Sequence, residues 1–482
     1  MTGKVERLCA HRVFHHFYQI CQIPHPSGGE KPLSDFLLSW ARGLGLDVEQ
    51  DGANNVLIRK PASPGREGSQ TVMLQAHMDM VCEKATGVDH DFSKDPICWV
   101  VEDDLLSTGG RTTLGADDGI GVAMAMAILE DNTLIRPPLE VLFTVNEEDD
   151  FSGVIFFDVE KMRARRLINL DHTVEHELLC GSCGGMQTDF YLPVVWRDAP
   201  EQLCALSLRV EGLKGGHSGD DIHRGRGSAN QLLIRLLAAA EGEGLLYLSH
   251  LKGGTFRLAI PREAEAVLCV PADRKEAVCA SVTRLAEEMK RELPGSAEGL
   301  QITLTDAERP ERCVAAGPIL TALSLLPDGV CQMNELFEGQ VDTSCNLGEL
   351  YLREDCLHTV TEIRSARTSL GEWLFQRMER LAELLGGACT RSNPYPSWDF
   401  QPDSTLRQVC TAVHEDLYGT QPRYLTVHAG LEVGCFFDRR PDIDAVALGP
   451  NAWDFHSPSE RLSVSSTLEV YRYLCAVLKA LG

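Results

Sequence analysis

The 482-residue chain has no stretch of roughly 18 consecutive apolar residues, the length a membrane-spanning helix needs. Its first residues, MTGKVERLCAHRVFHHFYQICQIP, lack the uninterrupted apolar segment of a secretory signal. Membrane spanning and secretion are therefore not expected, and the expected location is the cytoplasm. Basic residues are scarce: 45 Lys and Arg face 70 Asp and Glu, a net charge of -25. That balance argues against nucleic acid, anionic lipid or a polyanionic substrate as main partner. A disulfide framework is missing too. The 17 cysteines are odd in number and scattered through apolar segments such as YLCAVLKAL, which fits reduced, buried thiols. The one close pair, Cys180 and Cys183, has no second pair with which to complete a zinc site. No lysine follows the glycines of TGGRTTLGADDGIG, so that stretch is not a phosphate loop.

What is present is an ordinary globular composition, 44% hydrophobic and 24% charged, in a chain longer than one core usually supports. Residues 31–44 place Leu33, Phe36, Leu37, Trp40 and Leu44 on one helical face, and NNVLIRK and TVMLQAH follow as strands. DDGIGVAMAMAILED is apolar nearly all round and so predicts a buried helix, with LEVLFTV and RLINLD as further strands. Helix alternating with strand over residues 11–171 predicts a three-layer α/β domain, and the same texture returns near the C-terminus. Between them lie two strand, helix, strand patterns. EAVLCVPAD and LQITLTD flank a helix with Val278, Val282, Leu285, Met289 and Leu293 on one face. VTEIRSAR and ACTRSNPYP flank another, with Leu370, Leu374, Met378, Leu381 and Leu385 on one face. The expected architecture is α/β: a three-layer α/β/α catalytic domain in two parts, 1–187 and 398–482, interrupted by an inserted α+β lid domain over 188–397 built from the two units.

The strand VMLQAHMDMV, residues 72–81, ends in an imidazole and a carboxylate. Burying such groups without partners costs roughly 2 to 7 kcal/mol for a polar group alone. Other predicted strands end similarly. Glu147 and Glu148 close PLEVLFTVNEE, Asp171 closes RLINLD and His456 follows AVALGPNAWDFH. Open α/β sheets bind ligands beyond the carboxyl ends of their strands. Asp117, in TTLGADDGIG, stands near the N-terminus of the buried helix, where the helix dipole favours a carboxylate. Singly, each of these residues reads as a helix cap or a loop charge. Together, two imidazoles and several carboxylates match the borderline ligand set of zinc, with cobalt or manganese tolerated.

His-x-Asp at 77–79, GADDG at 115–119, the Glu147–Glu148 pair, Asp171 and His456 resemble the dinuclear zinc peptidases related to aminoacylase and glutamate carboxypeptidase. QIPHPSGGE (22–30), HDFSKDPI (90–97), LKGGHSG (213–219), GGTFRLAIPREA (253–264), HAGLEVG (428–434) and HSPSE (456–460) narrow the resemblance to the bacterial aminoacyl-histidine dipeptidases, from about residue 11 to the C-terminus. The resemblance implies two divalent metal ions, zinc with cobalt or manganese as substitutes, bridged by Asp117. His77 and Asp171 would complete one site, and Glu148 and His456 the other. Asp79 would orient the His77 imidazole. Glu147 would be the general base for a water bridging the metals. His217, Arg364 and Glu432 would contact substrate: His217 the developing oxyanion, Arg364 a C-terminal carboxylate and Glu432 a free amine.

The implied reaction is hydrolysis of unblocked dipeptides of the Xaa-His type and a broader set. The chain is expected to work as a monomer or homodimer, with the doubled lid presenting His217 to its own site. Leu258 stands where the family pattern has asparagine, which removes a hydrogen-bonding group from the substrate side. His172, next to Asp171, reads as a solvated loop residue. Two other functions remain open: an aminoacylase or carboxypeptidase acting on N-acyl amino acids, and a catalytically silent metal-binding protein. Retention of Glu147, Asp79 and all five implied ligands argues against the second.

Overall fold

A computed structural model describes residues 3–296 and 298–482. The chain forms two compact units. The first runs to Ser182 and resumes over Trp398–Thr426 and Leu431–Gly482; the second comprises Cys183–Ser397 and Val427–Gly430. The HAGLEVG stretch is thereby divided, with His428 in the second unit and Glu432 in the first.

The first unit is built on an eight-stranded sheet. Its order is Asp47–Gln50, Val56–Lys60, Leu139–Thr144, Val72–His77, Arg166–Asn169, Asp444–Ala447, Glu177–Ser182 and Arg423–Val427. The four strands from Leu139–Thr144 to Asp444–Ala447 run parallel, so their carboxyl ends lie on one edge. Val72–His77 and Leu139–Thr144 are buried along their whole length, as parallel strands covered on both faces must be. Helix Ala116–Glu130 packs on Val72–His77 and buries 13 of its 15 residues, in keeping with its apolar circumference. Gly115 caps that helix at φ 72°, with the Met80 side chain 3.0 Å from where a β-carbon would stand. A larger residue there would be strained by the backbone and blocked by the methionine at once.

The second unit holds an eleven-stranded hydrogen-bonded network whose main path divides into two sets of four. One is ordered Gln301–Ala307, Leu203–Glu211, Ala264–Pro271, Tyr247–Gly253; the other Val341–Leu352, Cys356–Ser365, Gly184–Pro193, Ala388–Tyr395. Among the described residues they join only where Lys252 and Gly253 pair with Tyr351 and Leu350. Each set contains one strand, helix, strand connection. The helices are Lys275–Glu292 and Thr368–Leu385, and in each case an earlier strand lies between the two connected ones. Each unit has its own apolar core. Among the described residues no helix is long and apolar enough to cross a membrane. All 17 cysteines are free thiols.

Candidate functional site

The parallel strands of the first unit bring the polar strand-end residues together. His77 is the last residue of its strand; Glu147 and Glu148 follow Thr144 by a short loop, and Asp171 follows Asn169 by two residues. His77 Nε2 lies 3.1 Å from Asp117 Oδ1 and 4.0 Å from Asp171 Oδ1. His456 Nε2 lies 2.8 Å from Glu148 Oε1 and 3.5 Å from Asp117 Oδ2. Three groups of donor atoms therefore converge within 4.8 Å among the described residues: His77, Asp117 and Asp171; Asp117, Glu148 and His456; and His77, Glu147 and Glu148. Asp117 belongs to two of these, one carboxylate oxygen facing each histidine.

Hydrogen bonds hold this arrangement from behind. His77 Nδ1 is 3.0 Å from the Asp79 carbonyl oxygen and 3.4 Å from Asp79 Oδ1. The same carboxylate accepts from the backbone N–H groups of Glu147 and Glu148, at 3.0 and 3.1 Å, and from the Ser27 hydroxyl at 2.8 Å. Asp79 therefore ties the histidine strand to the glutamate loop, a second task that its spacing from His77 did not reveal. Glu30 supports the loop further by accepting from Gly28 and Asn146 N–H. Glu460, also buried, accepts from the N–H groups of Leu114, Gly115 and Ala116, the turn just before Asp117. Sequence reasoning passed over Glu460, although it closes the HSPSE stretch that begins with His456.

The electrostatics are those of a crowded anionic site. Burial pushes the carboxyls of Glu147, Glu148 and Asp171 upward, and Asp117 adds to the rise in each. Burial also opposes charge on Asp117, but hydrogen bonds with His456 and His77 outweigh it and hold that carboxyl far below its usual range. His456 shows the converse: burial disfavours its cation, yet Asp117 and Glu148 raise it to about 10. Four carboxylates and two imidazoles this close are satisfied only by protons or by cations. A set of nitrogen and carboxylate donors sharing one bridging carboxylate fits two divalent ions.

Glu432, the residue expected to meet a substrate amine, is buried. It is 1% exposed, and its Oε2 accepts from Gln75 Nε2 at 2.6 Å and from the Thr144 hydroxyl at 2.7 Å, beneath the strand ends. Its Oε1 has no hydrogen-bond partner, and burial pushes the carboxyl up to about 7. His172 is not solvated as expected: its Nε2 is 3.2 Å from Glu177 Oε2 and its side chain is 9% exposed. Its partner is the first residue of strand Glu177–Ser182, which the sequence did not disclose.

In the second unit Arg364 is 4% exposed and enters no ion pair among the described residues. Its Nε donates toward Ser218 Oγ at 3.3 Å, its Nη1 donates to the Tyr395 hydroxyl at 2.9 Å, and its Nη2 lies 3.5 Å from His217 Nε2. His217 Nδ1 accepts from the N–H groups of Gly219 and Asp220 and lies 3.5 Å from Asp220 Oδ2. His428 bonds Ser344 Oγ through Nε2 at 2.7 Å; burial and the Arg364 cation lower it to about 3, so its ring is neutral. Leu258 accepts the Ser218 N–H through its carbonyl at 2.9 Å, so the unusual leucine is next to His217 and Ser218. Cys180 and Cys183 are buried thiols, each raised to about 11 by burial.

Two donor groups around one shared carboxylate at the strand ends fit a dinuclear metal centre. The chain belongs to peptidase family M20/M25/M40, whose model matches residues 73–480. It is 36% identical over 466 residues, 96% of each chain, to the cytosol non-specific dipeptidase of Escherichia coli (strain K12). Its structure is similar to that of aminoacylhistidine dipeptidase from Vibrio alginolyticus, with a TM-score of 0.91 and 34% identity, covering 99% of this chain and 98% of that one. The fold extends to the aminopeptidase PepT of Bacillus cereus, at a TM-score of 0.56 and 15% identity over 98% of each chain.

Proposed function

We propose that this peptidase is a metal-dependent dipeptidase of the cytoplasm that hydrolyses unblocked dipeptides, those of the Xaa-His type included. The observation that carries the reading is the pair of donor groups sharing Asp117, with Glu147 beside them and its carboxylate free of hydrogen bonds and ion pairs among the described residues. The dipeptidase names of the two relatives similar over nearly the whole chain support it. His77, Asp117 and Asp171 would hold one divalent ion, and Asp117, Glu148 and His456 the other. Zinc suits these donors best, with cobalt or manganese as substitutes.

When bound, the ions would supply Lewis acidity and make water acidic enough to ionise near neutral pH. The remaining work falls to side chains. Glu147, raised by burial, takes the proton of the attacking water at its carboxylate and returns it to the leaving amine. Asp79 keeps His77 in one tautomer and holds Glu147 and Glu148 on a fixed loop through their N–H groups. Arg364 offers a planar fork to the substrate carboxylate, since no protein carboxylate already occupies it. His217 donates to the oxyanion as it develops. With these parts in one chain, the molecule works as a monomer or homodimer.

The test is a substrate panel of Ala-His, Gly-His, β-Ala-His, Leu-Gly and N-acetyl-His, given to metal-stripped protein with and without zinc, manganese or cobalt. Metal-dependent cleavage confined to the free-amine dipeptides is the expected result. Cleavage of N-acetyl-His alone would transfer the assignment to an aminoacylase. Silence throughout, in folded and metal-loaded protein, would sink the catalytic reading.

A further inference from the structure

Away from the polar clusters, two thiols of the second unit meet on neighbouring strands. Cys331 lies on Gly329–Met333, an exposed strand that pairs antiparallel with Val341–Leu352. Cys345, fully buried, lies opposite Gly329 in that ladder. The register slips between Val330 and Gln332, which makes Cys331 the extra residue of a bulge. Bulges re-aim a side chain, and here the Cys331 thiol donates to the carbonyl oxygen of Gly329, the residue that pairs with Cys345, at 3.8 Å.

The two sulfurs differ as an attacking and a resolving thiol should. Cys331 is exposed, and the Cys345 hydrogen bond, aided by the Arg377 guanidinium, holds its thiol below the usual range against the effect of burial. Cys345 is raised well above that range, first by Cys331 and then by burial, and so stays protonated. An exposed thiol with thiolate character reacts with oxidants, whereas a buried one is protected unless its partner reacts first.

We propose that Cys331 and Cys345 form a reversible oxidation site, at which a hydroperoxide converts the pair into a cross-strand disulfide. The Cys331 sulfur attacks a peroxide oxygen and the O–O bond breaks. With hydrogen peroxide, one oxygen stays on sulfur as the sulfenic acid and the other leaves as water, carrying the thiol proton. The Cys345 sulfur then attacks the Cys331 sulfur. The S–S bond forms, the S–O bond breaks, and hydroxide leaves as water with the Cys345 proton. The two thiols lose two electrons and the peroxide gains them. The braced strand is one the site depends on: Ser344, next to Cys345, holds His428 and pairs in register with Arg364.

Full-length protein treated with stoichiometric hydrogen peroxide, alkylated, digested and weighed provides the test. The expected result is a loss of two hydrogens confined to a linked peptide pair containing Cys331 and Cys345, reversed by dithiothreitol. Cys331→Ser abolishes that loss, while Cys345→Ala leaves Cys331 as a sulfenic acid that dimedone captures. Cys98, the other exposed cysteine, remains free to alkylate. Should Cys345→Ala fail to fold, the wild-type map and Cys331→Ser still decide. Recovery of Cys345 fully alkylated, with Cys331 unoxidised, carrying two or three oxygens, or linked to any other cysteine, would overturn the proposal.

Discussion

In the first unit Asp117, Glu147, Glu148 and Asp171 converge on two imidazoles, whereas in the second a single guanidinium, that of Arg364, is buried among a serine, a tyrosine and a histidine. Both clusters carry uncompensated charge, and of opposite sign. Charge left unpaired in a folded interior is tolerated when a ligand completes it. In the function proposed above, divalent cations would complete the anionic cluster and an anion the cationic one.

Four substitutions break or sharpen this contrast. The largest effect is expected at the anionic cluster. Glu147→Gln should keep its metals, measured by elemental analysis, and lose about 10² to 10⁴-fold in kcat, the usual range for a general acid-base group. Near-normal turnover in the metal-loaded variant would remove Glu147 from that role.

Next comes the buried carboxyl below the strand ends. Glu432 is raised from 4.5 to about 7, so between those values the folded protein binds a proton that the unfolded chain has lost. Its contribution to stability is present below pH 4.5 and falls as pH rises to about 7. Over that window the loss reaches up to about 3 kcal/mol at 1.36 kcal/mol per unit. In metal-free protein, Glu432→Gln should flatten that decline while keeping the oxygen that Gln75 and Thr144 bond. A decline identical to wild type, followed by urea denaturation across this range, would contradict the assignment.

At the cationic cluster, Arg364→Lys keeps the charge but loses the fork. KM for dipeptides should rise by about 10 to 100-fold, the worth of a hydrogen bond to a charged group, with kcat changing less. An unchanged KM would mean that the substrate carboxylate binds elsewhere. A shift of the same order, but in selectivity rather than in binding, is expected at its rim. Leu258→Asn restores an amide beside His217 and Ser218 and should shift kcat/KM between Xaa-His and other dipeptides by about 1 to 3 kcal/mol. Parallel changes for every substrate would mean that this position does not select among them.

Much of the fold was legible because its elements bury apolar surface in regular patterns. The Ala116–Glu130 helix is apolar all round and is buried all round; Val72–His77 and Leu139–Thr144 read as continuous apolar runs and lie in the parallel part of the sheet. The strand-end residues His77, Glu147, Glu148 and Asp171 were legible for the same reason, since a polar residue that ends an apolar strand stands out. The burial of Glu432 was not legible, because Gln75 and Thr144, which bond it, are some 290 to 360 residues distant in sequence. Glu460 was missed because its partners are backbone N–H groups, which leave no mark on residue type.

The sequence by itself determined which residues could hold charge at strand ends, because alternating apolar and polar chemistry dictates where strands begin and stop. It also determined that this charge is acidic and suited to metal, because donor type is a property of the side chain alone. Only the tertiary structure decided that Asp117 turns one oxygen to His77 and the other toward His456, that Asp79 ties the histidine strand to the glutamate loop, and that Arg364 is buried against Ser218, Tyr395 and His217. Those outcomes depend on which strands become neighbours, and pairing between residues hundreds of positions apart is settled by packing rather than by any local pattern.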